Sequence, residues 1–129
     1  MVTGTRDPRF EASVFRHLRA LAWRATEVLV IHGACRPHPD GPLAGADAAA
    51  AALCAREGLD EVRFPANFRG RGKSGGPFRN QLMLDLGKPE VVFAFPGPDS
   101  RGTWDAITRA KRAGIELQVH ELTEEMLRC

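Results

Sequence analysis

The sequence contains little of what disulfide-rich and zinc-binding folds need. In 129 residues it has no tyrosine and three cysteines, Cys35, Cys54 and Cys129, which are widely spaced and form no CxxC pair. An odd set of this kind fits free thiols in a reducing compartment better than a disulfide framework or a zinc site, and it predicts a cytoplasmic protein.

Long apolar runs and a strong excess of one charge are also missing. No run approaches the roughly 20 residues that cross a bilayer and nothing resembles a signal peptide, so no membrane partner is expected. The formal net charge of +2 is too small to favour nucleic acid as a partner. The 43% hydrophobic and 26% charged content is that of one soluble globular domain, which we assign to residues 1–129. No metal-ligand spacing is present, and neither a metal nor a cofactor is predicted.

Strand-like and helix-like segments alternate along the chain. Strands are predicted at 1–4, 27–32, 61–64, 91–95 and 116–120, and helices at 10–25, 46–57, 77–86, 104–113 and 123–128. The aliphatic runs of the second and fourth strands are typical of strands buried on both faces. Thr103 is the predicted N-cap of the helix at 104–113, and Gly58 closes the helix at 46–57. The alternation predicts an α/β fold, a Rossmann-like three-layer sandwich with a mostly parallel five-stranded sheet.

Two glycine-rich turns, at 64–83 and 93–105, follow the third and fourth strands. Amides freed by glycine, together with basic side chains and a helix N-terminus, form sites for phosphate or another anion. Segments 4–6 and 33–34 follow the first and second strands, and ligands of such sheets bind beyond this carboxyl edge. Two such turns at neighbouring strand ends predict a ligand with several phosphates, or a nucleotide.

Familiar phosphate motifs do not explain the first turn. Residues 70–75 match GxGxxG, but they follow the third strand rather than the first, and a P-loop ending at 72–74 would need glycine in place of Asn67. Arg79, in the first turn of the next helix, could grip a phosphate in a bidentate manner, with Asn80 beside it. The alternative is that Arg79 is a surface residue and the loop is merely long.

Two carboxylates near the predicted ligand edge have an ordinary explanation beside a functional one. Asp47 and Asp105 each lie in the first turn of a helix, where they favour the helix dipole whatever the function. In a functional role, Asp105 would contact a ribose hydroxyl or a water rather than a phosphate. Trp104 has the same ambiguity, since it could stack on a base or pack against the protein.

With these residues in view, the chain resembles the YspA-like (YAcAr) branch of the SLOG superfamily, which is related to the lysine-decarboxylase-like (LOG) and DprA-like Rossmannoid domains. The resemblance covers nearly the whole length, through segments 2–7, 31–34, 44–47, 64–66, 72–73, 76–80, Met83, 94–97, 102–103 and 113–115. It implies a single domain that senses or processes a nucleotide-derived ligand.

The LOG group resembles phosphoribohydrolases, which cleave the base from a nucleoside monophosphate, and it carries a PGGxGTxxE signature and an arginine in a preceding helix. Arg79 matches that arginine in place. The signature departs here, because Pro98 replaces the second glycine and Ala106 stands where the acid is expected. Arg79 and Asp105 are therefore candidate catalytic residues only if the protein is a hydrolase.

The predicted function is binding of a nucleotide or nucleotide-derived ligand, of the ADP-ribose or NAD-derived type, as a sensor or sequestering module. The alternatives are a phosphoribohydrolase and, on the basic stretch at 69–73, a DNA-processing accessory. Helix faces of such a domain could pair into a homo-oligomer, although the sequence shows no interface. The predicted ligand-binding residues are Gly4, Thr5, Arg6, Gly33, Ala34, Gly45, Ala46, Asp47, Asn67, Lys73, Gly76, Arg79, Asn80, Pro96, Gly97, Gly102 and Thr103. This hypothesis requires that Arg79 share a cavity with the loops around Gly97 and Gly102.

Overall fold

The computed structural model describes residues 1–22 and 27–128. In these residues strands and helices alternate in the order β1 (Val2–Gly4), α1 (Glu11–Ala22), β2 (Leu29–His32), α2 (Gly45–Glu57), β3 (Asp60–Arg63), α3 (Phe68–Arg71), α4 (Gly75–Gly87), β4 (Val91–Phe95), α5 (Arg101–Arg112) and β5 (Glu116–Val119). Short 3-10 turns lie at Pro8–Phe10, Gly72–Ser74 and Glu124–Arg128. The prediction of an α/β protein is confirmed. No helix of the described chain is long and apolar enough to cross a membrane.

All strand pairs are parallel, but they form two sheets instead of the single five-stranded sheet that was predicted. One sheet has the order β1-β4-β5 and the other pairs β2 with β3. Residues of β1 and β2 lie in contact, yet no ladder joins them in the described residues. The reason is the length of β1. The main-chain groups of Met1 and Thr5 bond to β4. Successive residues of a parallel strand direct their main-chain N–H and C=O groups to opposite neighbouring strands, so only Val2 and Gly4 have main-chain groups directed toward β2.

The side chains pack into two apolar clusters. One joins α1 and α2 to the strands through residues such as Phe10, Val14, Ala50 and Leu53, and the other joins α4 and α5 through Ile31, Met83, Leu84, Val92 and Ala106. Val30 belongs to the first cluster and Ile31 to the second, because neighbouring residues of a strand point to opposite faces. The alanine run of α2 lets that helix approach the strands closely.

Helix and strand boundaries agree with the prediction in most places and differ in two that matter for function. Gly58 has a φ of 68°, which confirms its role at the end of α2. The predicted loop after β3 is partly helical, since α3 and a 3-10 turn occupy it. Helix α5 begins at Arg101 with Ser100 in the N-cap position, so the prediction that Thr103 is the cap is wrong. Thr103 instead lies inside the helix, where its side chain is buried.

Two further details of the predicted elements need comment. The end of the predicted helix at 10–25, from residue 23 onward, lies outside the described residues. Strand β2 begins at Leu29, and the exposed fraction of Leu29 is 53%, so the prediction that this strand is buried on both faces along its whole length is wrong.

Candidate functional site

A cleft of about 790 Å³ opens beyond the carboxyl ends of the strands. Its wall consists of residues 3–7 and Arg9 after β1, Gly33 and Cys35 after β2, Asp47 from α2, Arg79, Asn80 and Met83 from α4, residues 98–104 after β4, and Glu124. The turns that follow separate strands thus meet at one place. The structure brings Arg79 and Gly102 to the same cleft, as the nucleotide hypothesis requires, whereas Gly97 lies behind the wall.

Main-chain carbonyls, rather than a carboxylate, hold the guanidinium of Arg79. Its Nη1 donates to the carbonyl oxygen of Gly33 at 2.6 Å and to that of Phe64 at 3.3 Å, and its Nε donates to Oδ1 of Asn80 at 2.9 Å. A Cβ atom on Gly33 would overlap Nη1 and lie 2.7 Å from Cζ, so only glycine allows this contact. Because its partners are neutral, Arg79 keeps a positive charge at the cleft wall.

Asn80 joins the helix that carries Arg79 to the turn before α5. The exposed fraction of Asn80 is 2%, and its Nδ2 donates to the carbonyl oxygen of Gly102 at 3.1 Å and to Oδ2 of Asp105 at 3.0 Å. With Oδ1 accepting from Arg79, both ends of this amide are occupied. Asn80 therefore fixes the distance between the guanidinium and the start of α5.

Asp105 is half-buried and bonds to Asn80 and Arg109 instead of lining the cleft. Its Oδ2 accepts from Asn80 and, at 2.9 Å, from Nε of Arg109. Burial by itself would raise the pKa of Asp105, but the hydrogen bonds from Arg109 and Asn80 outweigh it and lower the pKa. The carboxylate thus stays ionised and occupied, and it is not among the residues that line the cleft.

The N-terminus of α5 faces the cleft without a side-chain cap. Oγ of Ser100, in the N-cap position, accepts from the amide of Gly97 at 2.7 Å, so it closes the preceding turn and leaves the first amides of α5 uncapped. Gly102 and Thr103 belong to the cleft wall. The exposed fraction of Thr103 is 3%, and its hydroxyl makes no hydrogen bond to the described residues. Amides and a hydroxyl are thus available to an anion at the positive end of a helix dipole.

The loop after β2 places a buried carboxyl group in the cleft. Oδ2 of Asp47 accepts from the amide of Cys35 at 3.0 Å, and the exposed fraction of Asp47 is 6%. Burial raises the pKa of Asp47, although the hydrogen bond from the amide of Cys35 and the charge of Arg79 act in the opposite direction. Burial, reinforced by Asp47, also raises the pKa of the Cys35 thiol, which makes it a poor nucleophile at neutral pH.

His32 supports this loop from below and does not line the cleft. It is fully buried, its Nδ1 accepts from the amide of Ala34 at 3.1 Å, and its Nε2 donates to Oε2 of Glu61 at 2.5 Å. Ala34 has a φ of 49°, a strained value for a residue with a side chain. The histidine thus holds the turn that carries Gly33 and Cys35 into the cleft.

The charges around the cleft are only partly paired. Arg9 bonds to Asp7 at 2.7 Å and to Glu124 at 2.9 Å, so it is neutralised by two carboxylates. The other three guanidinium groups of the wall, those of Arg6, Arg79 and Arg101, have no carboxylate within ion-pair distance in the described residues. The wall also contains four carboxyl groups, those of Asp7, Asp47, Asp99 and Glu124, which equal its arginines in number, so the positive charge is local to these three side chains.

Several residues predicted to bind the ligand lie outside the cleft wall: Ala34, Gly45, Ala46, Asn67, Lys73, Gly76, Pro96 and Gly97. The amides of Gly45 and Ala46 already donate to Glu11 and to the carbonyl oxygen of Thr5. Gly45, at a φ of 70°, has its Cα so close to the β1 loop that a Cβ would lie 2.6 Å from Cα of Arg6. Gly45 therefore serves loop packing.

Asn67 and Gly97, from the same group, have local structural roles. Oδ1 of Asn67 caps α3 by accepting from the amide of Gly70 at 2.8 Å. Lys73 is exposed on the 3-10 turn between α3 and α4. A Cβ on Gly97 would come within 2.9 Å of Oγ1 of Thr5, so this glycine permits the loops after β1 and β4 to touch.

The structure adds wall residues that the sequence interpretation did not select, among them Thr3, Arg9, Cys35, Met83, Arg101 and Glu124. The sequence could have indicated Thr3 and Arg101 as wall residues, because each lies next to a glycine at a strand end or in a turn. No local sequence pattern indicated Arg9 and Glu124. Their contact joins positions 115 residues apart, and only the folded chain brings them together.

Comparisons with protein-family models, with curated proteins and with solved structures found no match to this chain. The described residues contain no group of three or more histidine, cysteine, aspartate or glutamate side chains that could hold a metal ion. The chemistry of the cleft is therefore argued from its own arginines, amides and carboxyl groups.

Proposed function

We propose that this protein binds a nucleotide or nucleotide-derived ligand, of the ADP-ribose or NAD-derived type, in the cleft, and acts as a sensor or sequestering module related to the SLOG superfamily. One observation carries the proposal. Three guanidinium groups without carboxylate partners and the uncapped N-terminus of α5 face one cleft. Such a set complements a ligand with more than one phosphate, because each group can meet a separate oxyanion.

The size and place of the cleft support a nucleotide. A volume of about 790 Å³ lies within the range of small-molecule and cofactor sites. We further propose that the two sheets act as one Rossmann-like three-layer sandwich with the order β3-β2-β1-β4-β5, joined where β1 contacts β2. In that order the direction of winding reverses between β1 and β4, and ligands of doubly wound folds bind at this switch point. The free thiols of Cys35 and Cys54 fit a cytoplasmic location.

Ligand-induced stabilisation tests the proposal. At 100 times its dissociation constant, a ligand should add about 2.7 kcal/mol to the free energy of unfolding. We expect ADP-ribose, NAD or AMP to raise the melting temperature, and adenosine to have a much smaller effect because it has no phosphate.

Arg101→Ala should weaken binding about tenfold at little cost to stability, since this exposed side chain makes no ion pair in the described residues. Arg16→Ala, on the exposed face of α1, is the matched control. Equal behaviour of all ligands and both variants would reject a phosphate site.

A second candidate function, hydrolysis of the N-glycosidic bond of a nucleoside monophosphate, is favoured by Asp47. This carboxyl group lines the cleft together with Arg79, and its raised pKa suits a proton donor. Arg79 would orient the phosphate while Asp47 acts near the ribose. Incubation with AMP and chromatography for free adenine tests this function. Adenine release that Asp47→Asn abolishes and Asp105→Asn spares would support it, and intact AMP after prolonged incubation would reject it.

A further inference from the structure

One face of the β2–β3 sheet carries apolar side chains that no described element covers. Ile31 of β2 packs under α4, where a Cβ on Gly87 would come within 2.8 Å of its Cδ1. Val62 is in register with Ile31, and Leu29 precedes Ile31 by two residues, so all three point to the α4 side. Yet Leu29 and Val62 are 53% and 38% exposed. Helix α4 thus covers β2 and stops short of β3.

The flank of α4 that looks toward β3 is apolar as well. Arg79 marks this flank, because it bonds to Gly33 after β2 and to Phe64 after β3. Leu82 and Leu86 follow at three and seven residues, on the same stripe of the helix. The exposed fraction of Leu86 is 68%. The opposite flank is occupied, since Gln81 accepts from Arg109 of α5.

We call the surface formed by Leu29, Val62, Phe78, Leu82 and Leu86 the α4–β3 face. Phe78 lies four residues before Leu82 and is 41% exposed. Parallel sheets are normally covered on both faces, and a contiguous exposed apolar patch marks a contact surface. The edge of β3 itself carries Asp60 and Arg63, and such charges oppose addition of another strand at that edge. The contact is therefore expected on the face and not at the edge.

The charges before and after α4 indicate what covers this face. Three exposed basic residues precede the helix, Arg69 and Arg71 on α3 and Lys73 on the 3-10 turn, and Arg71 lies over the ring of Phe78 at 3.5 Å. Asp85 and Glu90 are exposed at the C-terminal end, and Asp60 joins Glu90 and Lys88 around one groove there, so acidic residues exceed basic ones. A surface with opposite charge at its two ends is complementary to a copy of itself turned by 180°.

We infer that the α4–β3 face is the interface of a homodimer in which the two α4 helices pack antiparallel about a two-fold axis near Leu82. The apolar stripe then meets itself, and the basic segment that precedes each α4 meets the acidic C-terminal end of the other α4. Each α4 also supplies Arg79 and Asn80 to its own cleft, so dimerisation buries the outer side of the helix that forms part of the binding wall. The inference stands independently of the ligand proposed above.

Light scattering or sedimentation equilibrium of the full chain tests the dimer. The expected mass is twice the 14.1 kDa of one chain. Leu86→Glu should raise the dimer dissociation constant roughly 30-fold or more, the size of a hot-spot loss. Met126→Glu is the matched control, because Met126 is also an exposed apolar residue, with an exposed fraction of 51%, but lies on the last 3-10 turn. Thermal unfolding of both variants shows that each remains folded.

Charge reversal distinguishes this interface from any other. Lys73→Glu and Glu90→Lys should each weaken the dimer about 2- to 5-fold per contact, and the double variant should restore it. A wild-type monomer at the highest soluble concentration overturns the inference, and so does a dimer that survives Leu86→Glu. Restoration by the double variant supports the antiparallel arrangement, and the absence of any effect of the single reversals refutes it.

Discussion

Replacing Gly33 by alanine should release the guanidinium of Arg79. A Cβ at this position would overlap Nη1 and lie 2.7 Å from Cζ and 3.2 Å from Nε of Arg79. Ordinary contacts begin at 3.4 Å, so the guanidinium has to move by more than half an ångström. The end of a long side chain moves more easily than the main chain, and the cost is therefore the broken bonds to Gly33 and Phe64. Gly33 does not have a positive φ, so the substitution adds no backbone strain.

The magnitude follows from those bonds. A hydrogen bond to a charged group contributes about 1.5 to 3 kcal/mol, and the lower end applies because Arg79 is only half-buried. A loss of about 1.5 kcal/mol should lower the melting temperature by roughly 5 °C in a chain of this size. Displacement of the guanidinium should also weaken ADP-ribose binding about tenfold.

Urea unfolding and isothermal titration with ADP-ribose measure the two effects. Gly76→Ala is the matched control, since it places a Cβ in α4 with its nearest neighbour, the ring of Phe68, at an ordinary 3.7 Å. If Gly33→Ala were as stable as Gly76→Ala and bound ADP-ribose as well, the assignment of Arg79 to the cleft would be wrong.

Three further perturbations probe the supports of the cleft. Asn80→Leu removes a buried amide that bonds to Arg79, Gly102 and Asp105, and should cost about 2 to 4 kcal/mol in urea unfolding; a cost below that of a surface substitution would contradict its role. Ser100→Ala frees the amide of Gly97 and should cost about 1 kcal/mol, with weaker ADP-ribose binding by titration as the readout that a loop without function would not show. Burial, with a smaller effect from His17, lowers the pKa of His120, so the unfolded chain protonates first and stability should fall as the pH drops below about 6.5. His120→Phe should remove part of that slope in pH-dependent unfolding, and an unchanged slope would refute the assignment.

The alternation of strands and helices could be predicted from the sequence, because the formation of each element depends on residues that are neighbours along the chain. The apolar run at 91–95 became β4 without a shift in its ends, and Gly58 ended α2 in the left-handed conformation. Local rules also placed Arg79 near the start of a helix. The local rules failed at the start of α5, where Ser100 and Thr103 were both possible N-caps. The helix begins after Ser100, whose hydroxyl accepts from the amide of Gly97.

The candidate site was predictable only as a set of strand ends. The carboxyl edge of a parallel sheet gathers the turns that follow its strands, so Gly4, Gly33 and Gly102 could be assigned to one region. Which glycines face the cleft and which pack loops together depends on contacts between distant segments. Gly45 against Thr5 and Gly97 against Thr5 are examples, and no local pattern contains them.

The amino-acid sequence alone determined the order of strands and helices, the absence of a metal-ligand pattern and the presence of arginine and glycine after the strands, since these follow from composition and periodicity. Only the tertiary structure decided that β1 bonds to β4 and not to β2, that Asp105 is held by Asn80 and Arg109, and that Asp47 lies buried at the cleft. The reason is that hydrogen-bond partners and desolvation are properties of segments that meet in space. Patterns of residues that are adjacent in sequence do not predict these partners or this desolvation.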